Sequence, residues 1–203
     1  MRLLLSCRRW LRRAFRRVGF RRVRFNYFET DLRDREFHVP AGIEVAVRRV
    51  PPDEIRQRLE ELGEFGFRGG ERGAAAGDRC YFAEVEGQLA GYSWISTQGI
   101  RNGRHLLSPV APKGVYSYLS FVFPDYRGNK LFQRMLCHIY RELQDEGYEF
   151  ACNLVSRQNV RSIRSRQRFD AVGKPISLLF LPGTKPWVLG GPIGTGESTK
   201  QHG

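Results

Sequence analysis

Phe121-Val122-Phe123-Pro124-Asp125-Tyr126-Arg127-Gly128-Asn129-Lys130-Leu131-Phe132 passes from an apolar, strand-like run into a turn rich in Arg and Gly. A helix-like run then continues to Glu146. The first N–H groups of a helix have no acceptor inside the helix. Together with the positive end of the helix dipole they form an anion site. Gly128 lets the backbone approach a ligand closely, and Arg127 and Lys130 add positive charge. The chemistry suited to this spacing is the holding of a diphosphate at the start of a helix.

The segment resembles the acyl-CoA loop of the GNAT superfamily of N-acetyltransferases. The family pattern is Arg or Gln, two free residues, Gly, one free residue, then Gly or Ala. It follows a strand ending in Val-x-Pro-Glu/Asp-Tyr-Arg-Gly. Val122 to Gly128 matches that approach, whereas Lys130 stands where the pattern has Gly and Phe132 where it has Gly or Ala. A second match follows. Asn159, Ser162-Ile163-Arg164, Phe169 and Val172-Gly173 are similar to the family's next motif, with Arg168 in place of a Gly.

The resemblance implies an α/β (α+β) fold, a mixed and mainly antiparallel sheet flanked by helices. It implies acetyl-CoA as co-substrate and direct attack of an amine on its thioester. Backbone N–H groups of Phe121, Val122 and Phe123 would hold the thioester and pantetheine. Those of Gly128, Asn129, Lys130, Leu131 and Phe132, with Arg127, would hold the pyrophosphate. Asn159 and Ser162 would meet the pantetheine arm or the adjoining strand. The family often carries a Tyr on the helix after Asn159 to protonate the leaving thiolate, but no Tyr follows Tyr148 here.

Proton transfer needs a base within hydrogen-bond reach of the amine. The strand entering the loop, Tyr116-Ser117-Tyr118-Leu119-Ser120, holds no carboxylate. Candidates are Tyr116, Tyr118, Ser120, Glu84 on the preceding hairpin and Asn153 on the next strand. The plainer reading is aromatics filling a sheet and solvated hairpin acids. His38, His105, His138 and His202 form no metal set, and Cys7, Cys80, Cys137 and Cys152 have no metal-like spacing. No metal is expected. Gly191 to Ser198 echoes a phosphate-binding loop but has Glu197 where Lys is essential. Arg157, Arg161, Arg164, Arg166 and Arg168 form a strip expected to flank the CoA phosphates or to face solvent, with nucleic-acid contact as the third reading.

The elements that must position these groups can be read from pattern. Of the formal net charge of +13, residues 1–25 supply ten Arg and no acid. The rest of the chain is nearly balanced, which argues against a uniformly basic nucleic-acid surface. Residues 1–24 read as a basic amphipathic helix, with Trp10 and Phe15 on its apolar face, suited to an anionic membrane surface. Residues 25–189 read as the GNAT-like domain and 190–203 as a flexible tail. Phe25 to Leu32 is expected as an edge strand and Ile43 to Val50 as the next. A helix is expected from Pro51 to Leu62, and a loop over Phe65 to Asp78. Cys80 to Ser96 reads as a hairpin and Thr97 to Lys113 as irregular. Gly114 to Phe123 is the strand before the loop. Leu131, Met135, Ile139 and Leu143 mark a core-facing helix.

The leading expectation is an acyl-CoA-dependent N-acetyltransferase, bacterial and cytoplasmic, acting on an amine of a small molecule or a cell-surface precursor. It would work peripherally at the inner face of a membrane. The alternatives are a non-catalytic acyl-CoA-binding protein of the same fold and a nucleic-acid binder using the basic arm.

Overall fold

A computed structural model describes residues 20–103, 105–169 and 171–196. The expected amphipathic helix over the first residues lies outside these, except that Arg21 to Arg24 open a strand. The strands are β1 (Arg21–Asp31), β2 (Ala46–Val50), β3 (Arg79–Val85), β4 (Gln88–Ser96), β5 (Gly99–Asn102), β6 (His105–Pro109), β7 (Gly114–Val122), β8 (Phe150–Ser156), β9 (Val172–Phe180) and β10 (Trp187–Leu189). The helices are α1 (Pro52–Arg58), α2 (Gly63–Ala75), α3 (Leu131–Asp145) and α4 (Val160–Gln167), with a 3₁₀ turn, Leu59–Leu62, between α1 and α2.

Eight strands form one sheet in the order β10-β9-β1-β8-β7-β4-β3-β2. Every neighbouring pair is antiparallel except β7–β8. That pair is joined through α3, the crossover that parallel strands require. The expected mixed, mainly antiparallel sheet flanked by helices is the fold observed.

Alternation divides β3 between two cores. Tyr81 and Ala83 face α3, where they meet Met135, Ile139 and Leu143. Cys80 and Phe82 face the other way, toward Ile55, Leu59 and Leu62. A third cluster joins Tyr27, Tyr116, Phe150 and Cys152 to Ile100, Val110 and Ile193.

Four sequence expectations are corrected. Phe25 to Leu32 is not at an edge, because β1 pairs with β8 on one side and β9 on the other. Phe65 to Asp78 is mostly helix rather than loop. Gly66, Gly69, Gly70 and Gly73 lower its helix propensity, but close packing on neighbouring side chains, most of them on the sheet, requires them. A Cβ at Gly66 would lie 2.4 Å from the Tyr92 hydroxyl, at Gly69 2.2 Å from Leu119 Cδ2, and at Gly73 2.5 Å from Trp94 Cε3. Close approach outweighs local propensity there. The stretch from Thr97 to Lys113 holds a two-stranded sheet, β5–β6. Finally, residues 190–196 pack onto the domain: Ile193 is buried, and Gly194 and Gly196 donate N–H bonds to Tyr27 Oη at 2.6 Å and Glu29 Oε1 at 3.2 Å.

Candidate acyl-transfer site

β7 pairs with β8 only from Gly114 to Tyr116. Beyond Tyr116 the two strands lose register contact, and a cavity of about 840 Å³ opens between them. Tyr116, Tyr118 and Ser120 all line it. The chain thus brings these three sequence-stated candidates together. Residues one apart in a strand point to opposite faces, which leaves Tyr116 and Tyr118 side by side, ring centroids 5.5 Å apart and planes 6° from parallel.

A bulge shapes the next turn of the site. The β4–β7 register shifts between Tyr92 and Trp94, opposite Phe121 and Tyr118. Leu119, in the extra stretch of β7, has φ of +47°. A left-handed β-strand residue is costly, and bulges re-aim side chains beside active sites. Here Leu119 and Ser120 turn toward the cavity. Ser120 Oγ also lies 2.8 Å from Ser93 Oγ.

The strand end does not present all three expected N–H groups. Phe123 N–H donates to Ala90 O at 3.0 Å, on the β4 side, and this corrects its assignment to the thioester. Its ring and that of Phe121 pack on Tyr92. Val122, one residue earlier, faces away from β4 by alternation. Its carbonyl accepts Arg127 Nε–H at 3.1 Å. The Arg127 guanidinium lies over the Phe121 ring, 5.4 Å from its centroid.

A smaller cavity, about 230 Å³, sits at the loop and is lined by Val122, Arg127, Gly128, Lys130, Leu131 and Phe132, among others. Among the described residues, the N–H groups of 128–133 find no backbone acceptor, and the first helical bond across the loop is Arg134 N–H to Lys130 O at 3.1 Å. Gly128 has φ of +90° and Lys130 φ of +56°. The second value is a left-handed backbone, which glycine adopts without a Cβ penalty and Lys only at a cost. Asn129 turns its carbonyl toward Gly42, where a Cβ would come within 2.8 Å. Phe132 lines both cavities and so marks their junction. A row of unpaired N–H groups beside a cavity fits a diphosphate.

Asn159 and Ser162 also line the larger cavity. Asn159 caps α4, its Oδ1 accepting Ser162 N–H at 3.1 Å. That capping role uses the side chain the sequence offered to pantetheine.

Glu84 is not brought to either cavity. It accepts from Arg58 Nη1 at 2.7 Å and from Arg48 Nε at 3.3 Å. Those arginines hold its carboxyl below the ordinary value against the opposing pull of burial. It belongs to an ion-pair cluster with Glu54 on the far edge of the sheet.

The carboxylate in the cavity is Asp78, which sequence reading did not single out. It follows α2, is buried, lines the cavity, and accepts the Tyr118 hydroxyl at 2.6 Å. Burial, with help from this bond, pushes the Tyr118 phenol well above its ordinary value. Tyr116, whose hydroxyl donates to Arg101 O at 3.1 Å, is likewise raised, first by burial. Tyr118 is therefore a donor and Asp78 an acceptor. The turn ending in Gly77-Asp78 was the available signal, masked by its Gly-rich surroundings.

Among the described residues, no group of three or more His, Cys, Asp or Glu side chains is placed to hold a metal ion. None of the described helices is long and apolar enough to cross a membrane.

No protein-family model and no curated protein matches the sequence. Solved structures do match the fold. The chain is similar to a glucosamine N-acetyltransferase region of a fungal multi-domain β-N-acetylglucosaminidase, with TM-score 0.61 and 15% identity, over 84% of this chain and 22% of that one. It is similar to a functionally unknown conserved protein from Staphylococcus epidermidis, with TM-score 0.58 and 10% identity, over 82% and 64%. It is also similar to a protein from Novosphingobium aromaticivorans assigned as an acetyltransferase of the GNAT family, with TM-score 0.53 and 14% identity, over 78% and 65%. The chain spans less than two thirds of the length of each. It has the GNAT fold.

Proposed function

We propose that this GNAT-fold chain transfers an acyl group from acetyl-CoA to the amine of a small molecule or cell-surface precursor. The observation that carries the reading is the parting of β7 from β8 after Tyr116. It opens a cavity that meets, at Phe132, a loop with a row of unpaired N–H groups. The loop holds the diphosphate by those N–H groups and by Arg127 and Lys130. The open edges of β7 and β8 take the pantetheine arm, and the thioester lies near Ser120 and Tyr118.

The amine attacks the thioester carbonyl, forming the C–N bond, and the C–S bond breaks. Asp78 takes the amine proton. Tyr118 gives its proton to the departing thiolate and regains one from Asp78 across their shared bond. Chemistry of this kind needs a base within reach of the amine, and Asp78 is the carboxylate in the cavity. The basic residues before β1 bring the enzyme to an anionic membrane surface at the inner face of the cell membrane.

A second reading, acyl-CoA binding without turnover, draws on Phe132 at the junction of the cavities. Calorimetric titration of acetyl-CoA into the full chain and its Arg127→Ala variant, followed by thiol release with an amine panel, tests both. Binding weakened in the variant and amine-dependent release support transfer. Binding without release on any amine supports the second reading, and no binding sinks both.

A further inference from the structure

Five arginines lie between Arg157 and Arg168, and four of them are exposed. Arg166 is the exception, at 3% exposure. Its partners are all neutral. Nη1 donates to Tyr140 Oη at 2.8 Å and Nη2 to Ser117 Oγ at 3.4 Å. The guanidinium carbon sits 5.2 Å from the Phe132 ring centroid. Its Nε has no acceptor, and no carboxylate among the described residues pairs with it. A guanidinium does not shed its charge, so burial without a counter-ion is costly.

Arg166 lines the larger cavity. So does Asn153, which is 2% exposed and whose Nδ2 and Oδ1 both lack partners. Arg101 lines the same space with an unpartnered Nε. The acid there, Asp78, already accepts from Tyr118. Three buried polar groups thus wait on one cavity, and the balance of charge is positive.

We propose that a substrate carboxylate enters this cavity and binds Arg166 and the Asn153 amide. A planar carboxylate suits a guanidinium edge better than a point charge would. Asn153 Oδ1 then accepts an N–H of the same substrate, so that donor and acceptor are both satisfied. The carboxylate comes either from the acceptor, as in an α-amino acid, or from the acyl chain of a dicarboxylic thioester. The catalytic part of this inference rests on the acyl-transfer reading above; the binding part does not.

The test uses the full chain. Thiol release from acetyl-CoA is measured with common α-amino acids and with their carboxamides. Succinyl-CoA is then compared with acetyl-CoA on the carboxamides. The expected result is a kcat/KM preference of at least about tenfold for the carboxylate member in one arm, since a site built for a polar group rejects its absence. The first arm assigns the carboxylate to the acceptor and the second to the acyl chain. Arg166→Gln removes the preference and Arg166→Lys keeps part of it. Where Arg166→Gln does not fold, Asn153→Ala is read instead. Equal rates in both arms overturn the inference.

If no pair turns over, thermal shift with millimolar succinate or N-acetylglycine decides. A rise in Tm lost in the variant supports the carboxylate site even where transfer has failed. No rise overturns it. Acetyl-CoA titration, read separately, reports on the transfer reading alone.

Discussion

The Tyr118 hydroxyl meets Asp78 Oδ2 at 2.6 Å, and this one bond ties β7 to the turn that ends α2. It is also the one place in the larger cavity where a phenol and a carboxylate share a proton path. Asp78→Asn keeps the shape and removes the base. Amine-dependent thiol release should fall by about 10²-fold while calorimetric acetyl-CoA affinity stays unchanged. Tyr118→Phe should lower the rate less, because Asp78 remains. An unchanged rate in Asp78→Asn would remove it from proton transfer.

Lys130 holds a left-handed backbone, φ +56°, where glycine carries no Cβ penalty. Lys130→Gly should therefore raise stability by about 1 kcal/mol, read as a higher midpoint in urea. The same change removes a cation from the loop and should weaken acetyl-CoA binding. A variant that gains stability and keeps full affinity would show that the ammonium does not reach the phosphates.

Gly73 packs α2 against Trp94, and an added Cβ would also lie 2.8 Å from the Tyr118 hydroxyl. Gly73→Ala should cost about 1–3 kcal/mol by overpacking, visible as a lower Tm. It should also reduce thiol release, because the displaced ring neighbours Tyr118. Normal stability would mean that α2 can slide off the sheet without penalty.

Glu54 accepts from Arg48 Nη1 at 2.8 Å, and the Arg48 hydrogen bond first, then Arg58, brings its carboxyl from 4.5 to about 2. A depressed folded value means stability that is present above 4.5 and lost as the pH falls toward 2. Melts across that window should show a decline. In Arg48→Gln the decline should be shallower. An identical pH profile in the variant would remove this pair from the acid response.

A chain ending at Gly190 tests the packed segment behind it. Tyr27 donates to Glu29 Oε1 at 2.5 Å, and Gly194 and Gly196 supply further N–H groups to the pair. Truncation takes one donor from the Tyr27 hydroxyl and one from the Glu29 carboxylate, each costing about 1–3 kcal/mol, and uncovers Phe150. The truncated chain should melt several degrees lower. An unchanged Tm would return residues 191–196 to the status of a tail.

The helix α3 was legible because Leu131, Met135, Ile139 and Leu143 repeat at one face, and the observed helix begins at the first of them and ends two residues after the last. The loop before it was legible because strand, turn and helix signals coincide there. α2 was not, since its glycines are breakers by local rules and become fitting only beside Tyr92, Leu119 and Trp94. The chemistry was split in the same way. Tyr116, Tyr118 and Ser120 share a strand approaching a motif, so spacing found them. Asp78 reaches them only through tertiary structure, from the far end of α2. Arg166 was counted among a charged strip because spacing cannot say which of five arginines turns inward.

The position of β1 carries a consequence for synthesis. Its residues are made before the other strands described, yet both neighbours, β8 and β9, come from beyond residue 149. Strands β2, β3 and β4 pair locally and can form a sheet early. β1 must wait, a strand with two open edges and the aromatic side chains of Phe25, Tyr27 and Phe28 uncovered, until β8 and β9 emerge. Long-range pairing of this kind is slow and exposed to aggregation. The half-made chain, rather than the finished one, is therefore the form most dependent on a chaperone.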